Sequence, residues 1–151
     1  MTARRARFGL GALAAAFTLA GAAAAPAQTA PGPITLNPLT PGVYWVQGGV
    51  GNAGVIVGDK AVTVIDATIS VDSAKTLLAD IAKITSKPVT TVILTHGDID
   101  HVGGLGAFPS GTRIIAQAAN KARMEAGVAA GRSRVPADRL PNHAVIDRET
   151  V

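Results

Sequence analysis

From Val43 onward the chain alternates between short β-branched runs and segments with a helical period. Val43 to Gln47, Gly54 to Val57 and Ala61 to Ile65 are short apolar runs, and Gly58-Asp59-Lys60 supplies a tight turn between the last two. Three such runs in succession predict an antiparallel meander. The period then lengthens: Val71, Ala74, Leu77, Leu78, Ile81 and Ile84 recur at helical spacing behind Ser70 or Asp72, either of which can act as N-cap. This predicts a helix over residues 71–84 that lays one face on a sheet. After Pro88, Val89 to Leu94 is nearly continuous in apolar character, as expected of a strand buried on both faces. Ile114 to Ala116 predicts another strand, Gln117 to Ala126 a helix stopped by Gly127, and Gly131 to Pro141 a polar loop. No internal repeat is present.

The pattern before Val43 has a different origin. Met1 to Arg7 is basic, Phe8 to Ala25 is an apolar Ala/Leu/Gly run, and Ala25-Pro26-Ala27 offers small residues at a cleavage site. This layout predicts a signal peptide over residues 1–27, a mature N-terminus at Gln28, a periplasmic or secreted protein, and membrane contact only during export. A retained anchor is the competing interpretation, but about 18 apolar residues is the lower limit for a span, and these are mostly Ala and Gly. Arg4-Arg5 resembles a twin-arginine signal with Phe8 one residue late, so the export route stays open. Residues 28–41 contain four prolines and are expected to form an extended linker without chemistry, leaving residues 42–151 as the domain.

Composition narrows the class. Hydrophobic residues make up 48% of the 151 positions and aromatics only 3%, so a core is affordable and must be aliphatic, which favours strands covered by helices. The net charge of +4 does not mark a polyanion binder. Three of the fourteen basic residues are Arg4, Arg5 and Arg7, and the remaining eleven face ten acidic ones. A near-neutral body without a basic, aromatic-interleaved run excludes nucleic acid as an expected partner. Because cysteine is absent, any metal must be held by nitrogen and oxygen.

Chemistry concentrates directly after the Val89–Leu94 strand. His96, Asp98, Asp100 and His101 place four potential ligands within six residues. Imidazoles and carboxylates crowded together need a compensating cation, and a divalent metal supplies one. Zinc accepts both donor types and, in catalytic sites, keeps a position open for water. Gly103, Gly104 and Gly106 just beyond are expected to let backbone pass close to the metals and leave the site open. A surface turn in which Asp and His merely cap a following helix is the bland alternative; four such residues at this spacing argue against it.

The run Thr95-His96-Gly97-Asp98-Ile99-Asp100-His101-Val102-Gly103-Gly104 resembles the T-H-x-H-x-D-H-x-G-G signature of the metallo-β-lactamase superfamily. The likeness extends to Gly42-Val43-Tyr44, which opens like that family's first strand, and to Asp66 after Val64-Ile65, which matches an early structural aspartate. It implies an α/β fold, the αββα sandwich of which this chain is the N-terminal half: a mixed sheet with outer helices. It implies zinc as cofactor, two ions in a complete enzyme, with His96 serving the first site and Asp100 and His101 the second. Asp98 stands where the family has its second histidine; a carboxylate is a harder donor, so manganese or iron becomes possible. The implied reaction is attack of metal-bound hydroxide on an ester-, thioester- or amide-type small-molecule substrate, with Asp100 also orienting the water as a catalytic residue. Asp66 is expected to brace the metal loop as a hydrogen-bond acceptor; capping the Ser70 helix is its simpler alternative role. The family's later histidine ligands have no counterpart here, since His143 is read as an ordinary loop histidine after Pro141-Asn142. They are therefore expected beyond Val151, leaving an exposed sheet face. A non-catalytic metal- or partner-binding protein on the same scaffold is the alternative function. Gly49-Val50-Gly51-Asn52-Ala53-Gly54 spells a dinucleotide fingerprint, but β-branched residues follow it where a helix is required, so that reading is disfavoured.

Overall fold

The structure, a computed structural model, describes residues 33–151; the expected signal peptide and the first part of the expected linker lie outside the described residues. Seven strands form one sheet in sequential order: β1 (Thr35–Thr40), β2 (Val43–Gln47), β3 (Ala53–Val57), β4 (Val62–Ile65), β5 (Val89–Leu94), β6 (Arg113–Gln117) and β7 (His143–Val145). The first four pair antiparallel, as the short turns require, and the last three add in parallel through longer connections. These crossovers carry α1 (Val71–Ile84), the single turn α2 (Ile99–Val102) and α3 (Ala118–Ala129).

The strand order has a direct consequence. Parallel crossovers are right-handed, and here every one steps the same way along the sheet, so all helices fall on one face. That face holds the core: Val55, Val64, Val92, Leu94 and Ala116 pack beneath Ala74, Leu77 and Ile81 of α1 and Met124 of α3. Ser70 caps α1, its hydroxyl accepting from the Ser73 N–H at 3.1 Å. The other face carries Trp45, Ile56, Ile65, Ile93 and Val145 with no helix over it among the described residues. On this face Trp45 and Ile56 are 37% and 39% exposed.

Four expectations are corrected. The proline-rich stretch is not a tether throughout: from Thr35 it forms β1, whose Leu36 pairs with Val46. An edge strand tolerates Pro38 because the missing N–H can face away from the ladder, and the register shifts between Pro38 and Thr40. β5 is fully buried only at Val92 and Leu94, on the helix face. α3 runs through Gly127 to Ala129, and the left-handed residue that ends it is Gly131, at φ +66°. Finally, His143 lies in β7 rather than in a loop, opposite Ile115. Among the described residues no helix is long and apolar enough to cross a membrane.

Candidate metal centre

The loop after β5 is built from an unusual junction after β4. Asp66 and Thr68 both adopt left-handed backbone, at φ +63° and +64°, which is costly for a β-branched threonine. This turn aims the Asp66 carboxylate, 3% exposed, at the start of the loop. There it accepts from the Thr95 N–H at 2.9 Å, from the Thr95 hydroxyl at 2.7 Å and from His101 Nδ1 at 2.9 Å. Asp66 therefore braces the loop, and the helix-capping alternative falls because Ser70 caps α1 by itself.

The bond to Asp66 settles the His101 ring. A carboxylate only accepts, so Nδ1 carries a proton and Nε2 is the ring atom left to face the loop. Nε2 faces the Asp100 carboxylate at 3.2 Å. Two electron-rich atoms at that distance repel unless a cation or proton lies between them. With metal–donor distances of about 2.1 Å, a separation of 3.2 Å corresponds to an angle of roughly 100° at a shared ion, within the tetrahedral or octahedral range. This pair fits one divalent cation in donor type and in spacing.

His96 and Asp98 are arranged differently. The His96 ring stacks edge-on to His101, with centroids 4.1 Å apart, and its Nδ1 accepts from the Asp98 N–H at 3.3 Å. The Asp98 carboxylate is 3.9 Å from the same nitrogen, about 0.5 Å beyond a tetrahedral pair, and is held at 3.3 Å by Arg123. The loop thus sets Asp100 against His101 Nε2, stacks His96 on the same ring and directs Asp98 toward Arg123 of α3. Among the described residues no three His, Asp or Glu side chains converge as a complete metal-holding group.

The glycines have another role than expected. A Cβ on Gly103 or Gly104 would run into the Ile69 or Ala67 carbonyl oxygen, so these residues let α2 press against the β4–α1 turn. The Ala67 N–H donates to the His101 carbonyl at 2.6 Å across that contact. The residue that closes on the candidate metal donors is Gly51 of the β2–β3 hairpin, where a Cβ would sit 2.7 Å from the Asp100 carbonyl oxygen and 3.1 Å from His101 Nε2. Its nominal dinucleotide motif is consequently a hairpin at the site mouth, followed by β3. Sequence reasoning also passed over Thr95 as a clasp, though its place before His96 was visible, and Arg123, Arg132 and Arg134, for which the Arg-Ser-Arg spacing was a signal. His143 takes no part in the loop's network; its Nε2 lies 2.6 Å from the Glu149 carboxylate and 3.0 Å from the Arg113 guanidinium, which itself donates to Glu149. Those two partners, His143 first, hold the Glu149 carboxyl below its ordinary value.

Residues 46–145 match the family model described as the metallo-beta-lactamase superfamily. The chain belongs to that superfamily. Two solved metallo-beta-lactamases share its fold: FIM-1 from Pseudomonas aeruginosa in the mono-zinc form, at 19% identity and TM-score 0.61, covering 76% of this chain and 51% of that one, and an enzyme from Hirschia baltica, at 18% and 0.62, covering 78% and 54%. The chain thus spans about half the length of these superfamily members. A linear primary-alkylsulfatase from Pseudomonas sp. (strain ATCC 19151) is 32% identical over 60 residues, 40% of this chain and 11% of that protein. The mixed sheet with its helix layer is the expected α/β architecture, seen here as a partial domain.

Proposed function

We propose that this superfamily member carries the metal-binding loop of a hydrolase acting on an ester-, thioester- or amide-type small molecule. The carrying observation is His101: Asp66 fixes its Nδ1 proton, and Nε2 is left aimed at the Asp100 carboxylate. His101 and Asp100 would hold one ion, and His96 with Asp98 would contribute to a second. Zinc is the proposed metal, supported by the mono-zinc form of FIM-1, with manganese or iron open at the Asp98 side. Bound there, a divalent metal acidifies water and polarises a carbonyl.

The chain's own residues have definable tasks. Asp66 and Thr95 hold the His101 ring in one orientation and one tautomer, so the donor is set before any ligand arrives. Asp100, whose side chain is 29% exposed, can both ligate and accept a hydrogen bond from the attacking water, orienting its lone pair. Gly51 leaves room for a substrate atom beside His101, which any side chain there would fill.

Zinc titration of the full chain tests this. Wild type is expected to bind, and His101→Ala and Asp100→Ala to lose affinity as a removed ligand does; unchanged affinity in both variants overturns it. Metal-dependent turnover by a version extended past Val151 separates this reading from the alternative: binding there without turnover of any ester, thioester or amide would support a non-catalytic metal-binding role, kept in view by the incomplete donor set among the described residues. Export to the periplasm or medium belongs to the same proposal and rests on residues 1–27. Mass spectrometry of exported protein should find Gln28 at the N-terminus; an intact Met1 or Thr2 end removes that part.

A further inference from the structure

We infer that the groove beside the His/Asp loop is an oxyanion-binding subsite, so that the substrate carries a sulfate, phosphate or carboxylate group held by Arg123, Arg132 and Arg134. The groove has a volume of about 560 Å³ and is continuous with the loop through Gly97, Asp98 and Ile99. Three arginines line it against one acidic residue, Asp98, in a body whose remaining charges nearly balance. Arg123 is paired with Asp98 at 3.3 Å. Arg132 and Arg134 meet no carboxylate within ion-pair distance among the described residues, and residues 1–32 contain no Asp or Glu that could reach them.

Surface arginines are ordinarily scattered, but these three line one concavity, and the segment carrying two of them is fixed in place. Gly131 turns the chain at φ +66°, the Arg132 N–H donates to the Gly127 carbonyl at 2.9 Å, and Val135 is buried at 5% exposure with its N–H on the Ser133 hydroxyl at 3.0 Å. Arg132 and Arg134 are exposed and lie two positions apart on this pinned loop, so an anion can be met by both, and guanidinium forks match the oxygen spacing of carboxylate, sulfate and phosphate. The volume suits a small molecule rather than a polymer. Arg123 links the two sites: its partner Asp98 belongs to the loop, so an anion drawing Arg123 away would free that carboxylate.

Assigning the anion to a substrate rests on the hydrolase proposal; the anion site itself does not, and its test needs no metal. Inorganic sulfate is titrated into the full chain after chelator treatment, at constant ionic strength, followed by calorimetry and by arginine side-chain resonances. Saturable binding is expected, weakened about tenfold for each guanidinium removed in Arg132→Gln and Arg134→Gln and unchanged in Arg139→Gln, an arginine outside the groove paired with Asp138. Absence of saturable binding, or an equal loss in Arg139→Gln, overturns the subsite. His101→Ala should leave sulfate binding intact. Loss of zinc binding by wild type with sulfate binding preserved would sink the hydrolase proposal alone. A second titration with inorganic phosphate and with acetate ranks the three anion classes by the same arginine dependence.

Discussion

The two halves of the His/Asp loop differ in how firmly the fold holds them. Asp100 and His101 ride on α2, whose glycines press on backbone carbonyls and whose imidazole is tied to buried Asp66. His96 and Asp98 sit on the outer side; the Asp98 side chain is 68% exposed and its charge goes to Arg123. The same four-residue cluster therefore contains one pre-set donor pair and one whose geometry depends on a surface ion pair. Rigid placement comes from backbone contact and buried hydrogen bonds, which cannot relax without exposing unmet donors, whereas an exposed pair is worth only about 0–1 kcal/mol.

The largest effect should follow from removing the brace. Asp66→Ala strands the Thr95 N–H, the Thr95 hydroxyl and His101 Nδ1, and is expected to cost about 2–4 kcal/mol in denaturant unfolding. Asp66→Asn, which tolerates left-handed backbone and keeps one acceptor, should cost less stability yet lower zinc affinity about 10–100-fold. If Asp66→Asn leaves zinc affinity untouched, the His101 half is not pre-set.

A paired glycine experiment compares the halves directly. In Gly104→Ala the new methyl meets the Ala67 carbonyl, which cannot move without the β4–α1 turn, so about 1–3 kcal/mol of destabilisation is expected. In Gly97→Ala it meets side-chain atoms, Asn120 Oδ1 at 2.7 Å and Met124 Cγ at 3.0 Å, a milder overlap than the 1.9 Å to the Ala67 carbonyl oxygen at Gly104. Thermal unfolding should rank Gly104→Ala clearly below Gly97→Ala; equal losses would erase the asymmetry.

Asp98 provides a smaller contrast. Asp98→Ala should change stability by about 0–1 kcal/mol and reduce zinc affinity less than Asp100→Ala does, while Asp98→His should raise affinity by supplying a softer donor. Equal losses for Asp98→Ala and Asp100→Ala, in parallel zinc titrations, would show both halves to be equally committed to metal.

The smallest effect lies away from the loop, at Glu149. Its folded pKa is lowered by His143 and Arg113, so its stabilising contribution is present above the ordinary value of 4.5 and fades as pH falls through the lower folded value. Unfolding temperature measured on acidification should fall slightly less steeply in Glu149→Gln than in wild type. Identical profiles would mean that the Arg113–His143–Glu149 contacts contribute nothing measurable.

Much of this architecture was already written in local pattern. The meander, α1 and β5 followed from period and turn residues, and Ser70 from its capping chemistry, because each depends on neighbours a few positions away. The cluster of four candidate ligands was legible for the same reason: its members are adjacent in the chain. Residues 28–41 misled because prolines suppress the strand signal, although an edge strand accepts them once Leu36 finds Val46.

What the sequence determined by itself was the run of elements from β2 to α3 and the donor inventory at residues 96–101, but not the edge strands β1 and β7. Tertiary structure alone decided which donors are poised. Asp66 and His101 are 35 positions apart and meet only because β4 and β5 lie side by side. Gly51 reaches Nε2 from another hairpin, and Arg123 claims Asp98 from α3. These are long-range contacts between groups whose identities carry no periodic signal, so their consequences for proton position, donor spacing and local charge appear only when the chain has closed on itself.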